Sequence, residues 1–382
     1  MAELQEPVRE RIIMRVIILV SSFLVLWAPI AQSQIAPERI GTETIGEPGK
    51  NWIIGKTRNG GYIYDADSGE MQGLISLSPH TASLEVDRAR RQVYAPESYY
   101  SRGVHGDRTD VITIYDFDNL SPVAEIEIPK KIAVLGFRRH VGLLGNGRHF
   151  LVFNMTPAQS VSVVDVESRA FVGEISTPGC AMIMPVAKND FLMICGDGTL
   201  QLIQLDEQGN EANRTRSKEF FEVLEDPIFD RPSPTANGWL LTSHAGQAYT
   251  VTVDGDNIRL SKAWSLLDEE DAEQKWRAGG GEFGTIHRAT GLLYILMHKA
   301  EKDFTHHDPG TEIWIIDVND RRRLERIKLE VPAHSLYVTQ SDEPKLIVSD
   351  EEGGLHIYDA LKLTLEQTVE DPGPGAAFFR GF

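Results

Sequence analysis

The sequence predicts an all-β protein, a seven-bladed β-propeller that follows an N-terminal signal peptide. Three observations predict it. Past residue 33 the chain shows almost no helical periodicity and reads as short β-rich runs broken by Gly, Pro, Asn and Asp. One kind of run recurs seven times, each time ending in an acidic turn. The recurrences are spaced close to the ~40–50 residues of a four-stranded propeller blade.

The first element is the leader. Arg9, Arg11 and Arg15 precede or open the apolar stretch Met14–Ile30, which gives way to Ala31-Gln32-Ser33 with small residues at the −3 and −1 positions. A basic flank, an apolar middle and a small-residue site make a secretory signal, with cleavage expected after Ser33. A membrane anchor is the alternative, but Val16–Ile30 is short of the ~20 residues a span needs and is broken by Pro29. The acidic stretch before Met14 is atypical, which raises Met14 as an alternative start. Residues 1–33 are therefore expected to be removed, leaving 34–382 as a single, periplasmic propeller domain with no membrane attachment.

The repeat comes next. It is read as YIYD ending at Asp65, ITIYD at Asp116, VSVVD at Asp165, LIQLD at Asp206, YTVTVD at Asp254, EIWIID at Asp317 and LHIYD at Asp359. Intervals are 51, 49, 41, 48, 63 and 42 residues. Asp suits such turns because its carboxylate accepts from local backbone amides, so these aspartates are turn formers and not catalysts. The long interval implies an insertion, placed at Lys299–Gly310. The first blade is expected to take an outer strand from one chain terminus. Helix is expected only at Phe220–Leu224 and Leu266–Trp276.

Composition excludes several function classes. A net charge of −18 with no Lys/Arg-rich tract argues against nucleic-acid binding. Arg321-Arg322-Arg323 reads as a solvated turn. The two cysteines, Cys180 and Cys195, lie on adjacent strands joined by a turn at Lys188-Asn189-Asp190, which would set them opposite each other. In an exported chain this suggests a disulfide, with two buried thiols as the alternative.

No catalytic constellation stands out. His306-His307-Asp308 is the densest histidine group, but adjacent residues of an extended strand face opposite ways and no further ligand pattern accompanies them, so no metal is expected. His80, His140, His149, His287, His298 and His334 read as hydrogen-bonded structural residues. Gly279-Gly280-Gly281 lacks a strand-to-helix setting and reads as a tight turn, and neither GxSxG nor CxxCH is present.

Several long segments resemble the large (heavy) subunit of the tryptophan tryptophylquinone amine dehydrogenases, the methylamine and aromatic amine dehydrogenases. They are YYSRGVHGDRTDVITIYDFDNL at 99–120, TPGCAMIMPV with FLMICGDGTLQLI around the cysteines, RSKEFFEVLEDPIF at 216–229, and WSLLDEEDAEQKWRAGGGEFGTIHRATGLLYILMH at 264–298. THHDPGTEIWIID and LHIYDALKLTL extend the likeness, which spans roughly residues 50–380 and leans toward the aromatic-amine branch around CGDG and WSLL. The resemblance implies a seven-bladed, YVTN-like propeller and a Cys180–Cys195 disulfide. It implies no cofactor and no catalytic residue in this chain. The quinone is expected on a small disulfide-rich subunit in a two-large, two-small assembly that oxidises a primary amine to aldehyde and ammonia. Electrons would pass to a blue copper protein or a cytochrome c. In this family an aromatic residue of the first blade helps line the substrate channel. Here EPGKNWIIGKTRNGGYIYD departs from both branches, and Trp52, then Tyr62, are the positional candidates.

Two further readings differ in class. One is a free-standing periplasmic propeller that binds a ligand without a catalytic partner, since fold alone does not fix function. The other is a pyrroloquinoline quinone enzyme, against which the separation of Cys180 from Cys195 counts, because vicinal cysteines are expected there.

Overall fold

The computed structural model describes residues 44–382 apart from 301, 303, 304 and 371. The expected leader at 1–33 lies outside the described residues. Regular structure among the described residues is almost wholly antiparallel β-strand. The acidic segment 266–276 contains one turn of α-helix, Glu269–Glu273, started by a capping box in which Asp268 and Asp271 each accept from the other's backbone amide. Phe220–Leu224, expected as helix, is turn and irregular backbone instead. Phe221 is anchored in the core beside Leu200 and Leu202, and this packing overrides local propensity.

The strands assemble into six sheets. Four hold four strands, one holds five, and one runs continuously through eight. The expectation of seven separate blades is thereby corrected: the propeller has five separate blade-sized sheets, and the remaining strands are joined. The joint is Arg322–Val338, a single strand of 17 residues. Its first part pairs with Gly310–Asp317 (Ile313 opposite Ile327) and its second with Lys345–Asp350 (Leu336 opposite Val348). The physical reason is in its sequence, which holds no Gly, Asn or Asp to turn the chain and only Pro332 to interrupt pairing. Two of the recurring Asp-terminated runs therefore share one sheet.

The recurring runs occupy equivalent places. Gly60–Asp65, Arg108–Asp116, Ser160–Asp165, Leu200–Leu205 and Gln247–Asp254 are each third from the inner edge of a sheet. In six of the seven turns the Asp carboxylate accepts backbone amides, as where Asp165 takes those of Glu167 and Ser168 and Asp359 those of Leu361 and Lys362. Asp254 differs and holds Arg259.

Short inner strands surround an axis. Glu85–Asp87, Val141–Leu143, Gly284–His287 and the second part of Arg322–Val338 each pack against the next inner strand. The ring closes through Phe378–Gly381, which pairs with Trp52–Lys56 (Ile54 opposite Arg380). The closing strand is thus an inner strand from the C-terminus, not the outer strand expected. Phe378 and Phe379, both under 3% exposed, supply the apolar surface that drives it inward. Apolar residues of facing sheets fill the spaces between them, as with Trp52, Ile54, Val93 and Tyr115.

Cys180 and Cys195 sit opposite each other at the ends of Cys180–Val186 and Asp190–Cys195 and are bonded, with an S–S distance of 2.09 Å. No described helix is long and apolar enough to cross a membrane.

Candidate functional site: the axial cavities

Among the described residues, two cavities adjoin the inner strands at opposite ends. One, of about 600 Å³, lies at the C-terminal ends of the inner strands and is lined by Glu85, Arg139, Trp239, Arg288, Gln340 and Arg380 among others. The other, of about 570 Å³, lies at their N-terminal ends beside Phe137, Arg231, Glu282, His334 and Asp350.

Charged side chains divide the two. Arg138 and Arg139 come from the 3-10 turn Arg138–His140, which leads directly into the inner strand Val141–Leu143. Arg380 projects from the closing strand and pairs with Glu85 at 2.8 Å. Its second terminal nitrogen donates to the Arg138 carbonyl at 2.6 Å, which also accepts from Ser83. Arg138 faces Glu282 at 3.6 Å and lies over the Tyr337 ring. Glu282 is held by the glycine run before it: Gly280 has φ +118°, and a Cβ on Gly279 would meet His298 and the Asp308 carbonyl at 2.5–2.6 Å. The Gly279–Gly281 segment is thus a close approach of backbone to His298 and to the loop at Asp308.

Arg139 is different. It is 6% exposed, and among the described residues it has neither a hydrogen bond nor an ion pair. Its guanidinium lies over Trp239, 4.4 Å from the ring centroid, while the indole N–H is committed to the Pro185 carbonyl at 3.0 Å. Burial, then the charges of Arg138 and Arg380, pull its pKa well below the usual guanidinium range. The sequence reading passed over this pair, although Phe137-Arg138-Arg139-His140 is a second basic cluster, placed before an apolar run. Conversely, only Arg321 of Arg321-Arg322-Arg323 lies in the turn; Arg322 is exposed at the start of the strand Arg322–Val338. Arg323 pairs with Asp268 and Asp271 and covers the Trp314 ring.

The two channel candidates are not brought together. Trp52 is opposite Asp65 and 6% exposed, packed edge-on to Phe382 in the core between the first two sheets. Tyr62 is opposite Gly55 on the other face, half-buried against Ala376 and Phe379, where it borders a small cleft closed by Pro372 and Pro374. Trp276 and Trp314 do meet, with centroids 5.3 Å apart, but both are buried beneath Arg326 and neither reaches an axial cavity.

His306 and His307 lie in a turn and not on an extended strand, so their rings approach to 4.2 Å instead of diverging. They continue a stack through His244 to Phe229. Among the described residues no group of three His, Cys, Asp or Glu is placed to hold a metal.

Fold and site together define a closed β-propeller with charged side chains gathered on its axis. Residues 53–378 match the methylamine dehydrogenase heavy chain (MADH) family, and the chain belongs to that family. It is 29% identical to the methylamine dehydrogenase heavy chain of Methylophilus methylotrophus over 316 residues, covering 82% of this chain and 77% of that one. To the heavy chain of Methylobacillus flagellatus it is 27% identical over 304 residues, covering 78% and 75%. Identities this low do not distinguish the aromatic-amine branch. Among solved structures, a functionally unknown protein from Desulfotomaculum acetoxidans superposes with TM-score 0.57 at 12% identity, covering 85% of this chain and 98% of that one. A dihydro-heme d1 dehydrogenase gives 0.51 at 15% identity, covering 90% and 77%. These two likenesses concern the fold alone.

Proposed function

We propose that this chain is the large, non-catalytic subunit of a periplasmic amine dehydrogenase that converts primary amines to aldehyde and ammonia. The observation that carries this reading is the family match across residues 53–378, which takes in nearly the whole propeller. In it, residues 1–33 are a cleaved leader and 34–382 form the mature domain. Two copies join two small subunits, and electrons leave to a blue copper protein or cytochrome c. The quinone supplies the electrophile for the amine and resides on the small subunit. That assignment is supported by the match to the methylamine dehydrogenase heavy chain family.

The role of this chain is to hold the small subunit and to wall the amine's approach. Of the two candidates for that wall, Tyr62 is better supported by its half-exposed position on the cleft, whereas Trp52 is packed in the core. The CGDG and WSLL segments favour an aromatic amine over methylamine.

The test is purification of the tagged full chain from its native host. A small cysteine-rich subunit, a visible quinone absorbance and dye reduction dependent on 2-phenylethylamine are expected. Recovery of the chain alone, without absorbance or amine-dependent turnover, would refute the subunit reading in favour of a free-standing binding propeller. In the intact complex, Tyr62→Ala should shift KM between 2-phenylethylamine and methylamine by about tenfold, the effect of one lost aromatic contact in an apolar site. Unchanged KM for both amines would remove Tyr62 from the channel.

A further inference from the structure

We propose that the axial cavity beneath Arg139 is a binding site for a small organic carboxylate, with the Arg139 guanidinium as its principal anchor.

Charge is the first argument. Three buried arginines, Arg138, Arg139 and Arg380, converge on the axis and face two carboxylates, the buried Glu282 and the part-buried Glu85. Both carboxylates are already engaged by Arg138 and Arg380, so one positive charge is left over, and it resides on Arg139. A guanidinium stays protonated in proteins, and a buried charge without a counter-ion is costly. Nothing among the described residues supplies that counter-ion.

Access is the second argument. Among the described residues the Nε of Arg139 is fully enclosed and without a partner, and Arg139 lines the cavity of about 600 Å³. A planar fork of donors at the wall of an open cavity can receive a carboxylate in bidentate fashion. Trp239 fixes the fork from below, since its ring carries the guanidinium and its own N–H is tied to Pro185.

The remaining wall selects the class of ligand. Most of the remaining lining is polar, but Val86, Leu143, Pro185, Val186 and Ile286 form an apolar part of it beside which an apolar body attached to the carboxylate would be desolvated. Arg288 and Gln340 stand among the lining residues, with Gln340 accepting from Arg288 at 3.0 Å. The apolar residues beside the guanidinium favour an organic carboxylate over a fully hydrated inorganic dianion. This site is independent of the subunit reading, because it uses only residues of this chain.

The experiment uses the purified full chain, together with any subunit that accompanies it, and benzoate, benzyl alcohol and inorganic phosphate as probes at constant ionic strength. Binding is followed by tryptophan fluorescence, to which Trp239 contributes directly beneath the site, and by the thermal midpoint. Benzoate is expected to give a saturable fluorescence change and a higher midpoint, and benzyl alcohol neither. Arg139→Met should weaken benzoate by roughly 10–100-fold, the range of a charge-assisted contact. This variant keeps an apolar side chain over Trp239 and removes an unpaired charge, so it should fold. Should it not, the wild-type contrast between benzoate and benzyl alcohol decides alone. Absence of saturable benzoate binding would overturn the proposal, as would equal binding by Arg139→Met. Phosphate binding through Arg139 without benzoate binding would overturn the carboxylate assignment.

Discussion

Acidification should destabilise this propeller through His140, and the size of the effect follows from where the ring lies. His140 ends the turn that carries the two axial arginines. It is 2% exposed, lies between Phe137 and Phe153 with centroids 5.0 and 5.2 Å away, and its Nδ1 is 3.1 Å from the Leu135 carbonyl. Burial lowers its pKa from the ordinary 6.5 to about 4, against smaller opposing effects of that hydrogen bond and of Asp230. The folded state therefore binds this proton less tightly than the unfolded chain. Stability is unaffected by His140 above pH 6.5, falls as pH drops through 6.5, and has lost its full share below pH 4. Between pH 7 and pH 5 linkage gives a loss of about 2 kcal/mol, within a limit of about 3 kcal/mol at lower pH. Urea unfolding of wild type and His140→Gln at both pH values checks this. The glutamine can still donate to Leu135, and the readout is the change in the wild-type-minus-variant difference, which cancels any pH-independent cost of the substitution. That difference should shift by about 2 kcal/mol against wild type at pH 5. A difference that is the same at pH 7 and pH 5 would refute the assignment.

The other predictions concern stability at defined places. Replacing Cys180 and Cys195 together with serine releases a loop of 15 residues and should cost about 3 kcal/mol, seen as a lower urea midpoint; an unchanged midpoint would show that the bridge constrains nothing. Asp271 is 3% exposed and faces both Arg323 and Arg326, so Asp271→Ala leaves two cations short of a partner. Asp268 and Glu312 retain one contact each, which places the loss near the lower end of the usual range, about 3 kcal/mol by denaturant unfolding. A loss under about 1 kcal/mol would mean the pair behaves as an exposed one.

Much of the fold was legible because it is local. Each acidic turn is written in four to six adjacent residues, and the pairing of Cys180 with Cys195 follows from one hairpin. The axial cluster was not legible for the opposite reason. Glu85, Arg138, Glu282 and Arg380 are far apart in sequence, and no short motif marks residues that meet only when the ring closes. The same holds for Arg322–Val338, where two recurring runs imply two sheets but an unbroken strand makes one. His306 and His307 show a smaller failure of the same kind, since alternation holds on a strand and not in a turn.

Closure itself is the most non-local feature, and its weight can be worked out. The last strand, Phe378–Gly381, pairs with residues more than 300 positions earlier and brings Phe378, Phe379 and Arg380 to buried places. Deleting residues 378–382 would remove two buried phenylalanines, each worth about 3–5 kcal/mol by truncation. It would also free Glu85 of its partner and expose Trp52–Lys56 as an unpaired edge. The sum matches or exceeds most of the 5–15 kcal/mol that ordinarily separates folded from unfolded states. The truncated chain should therefore lose its near-UV circular dichroism and its cooperative thermal transition, whereas Phe379→Leu, which keeps most of the apolar volume, should retain both. A truncated chain that melts cooperatively at the wild-type midpoint would show that the ring is held by sheet-to-sheet packing alone, and that the C-terminal strand is an addition to the fold and not its clasp.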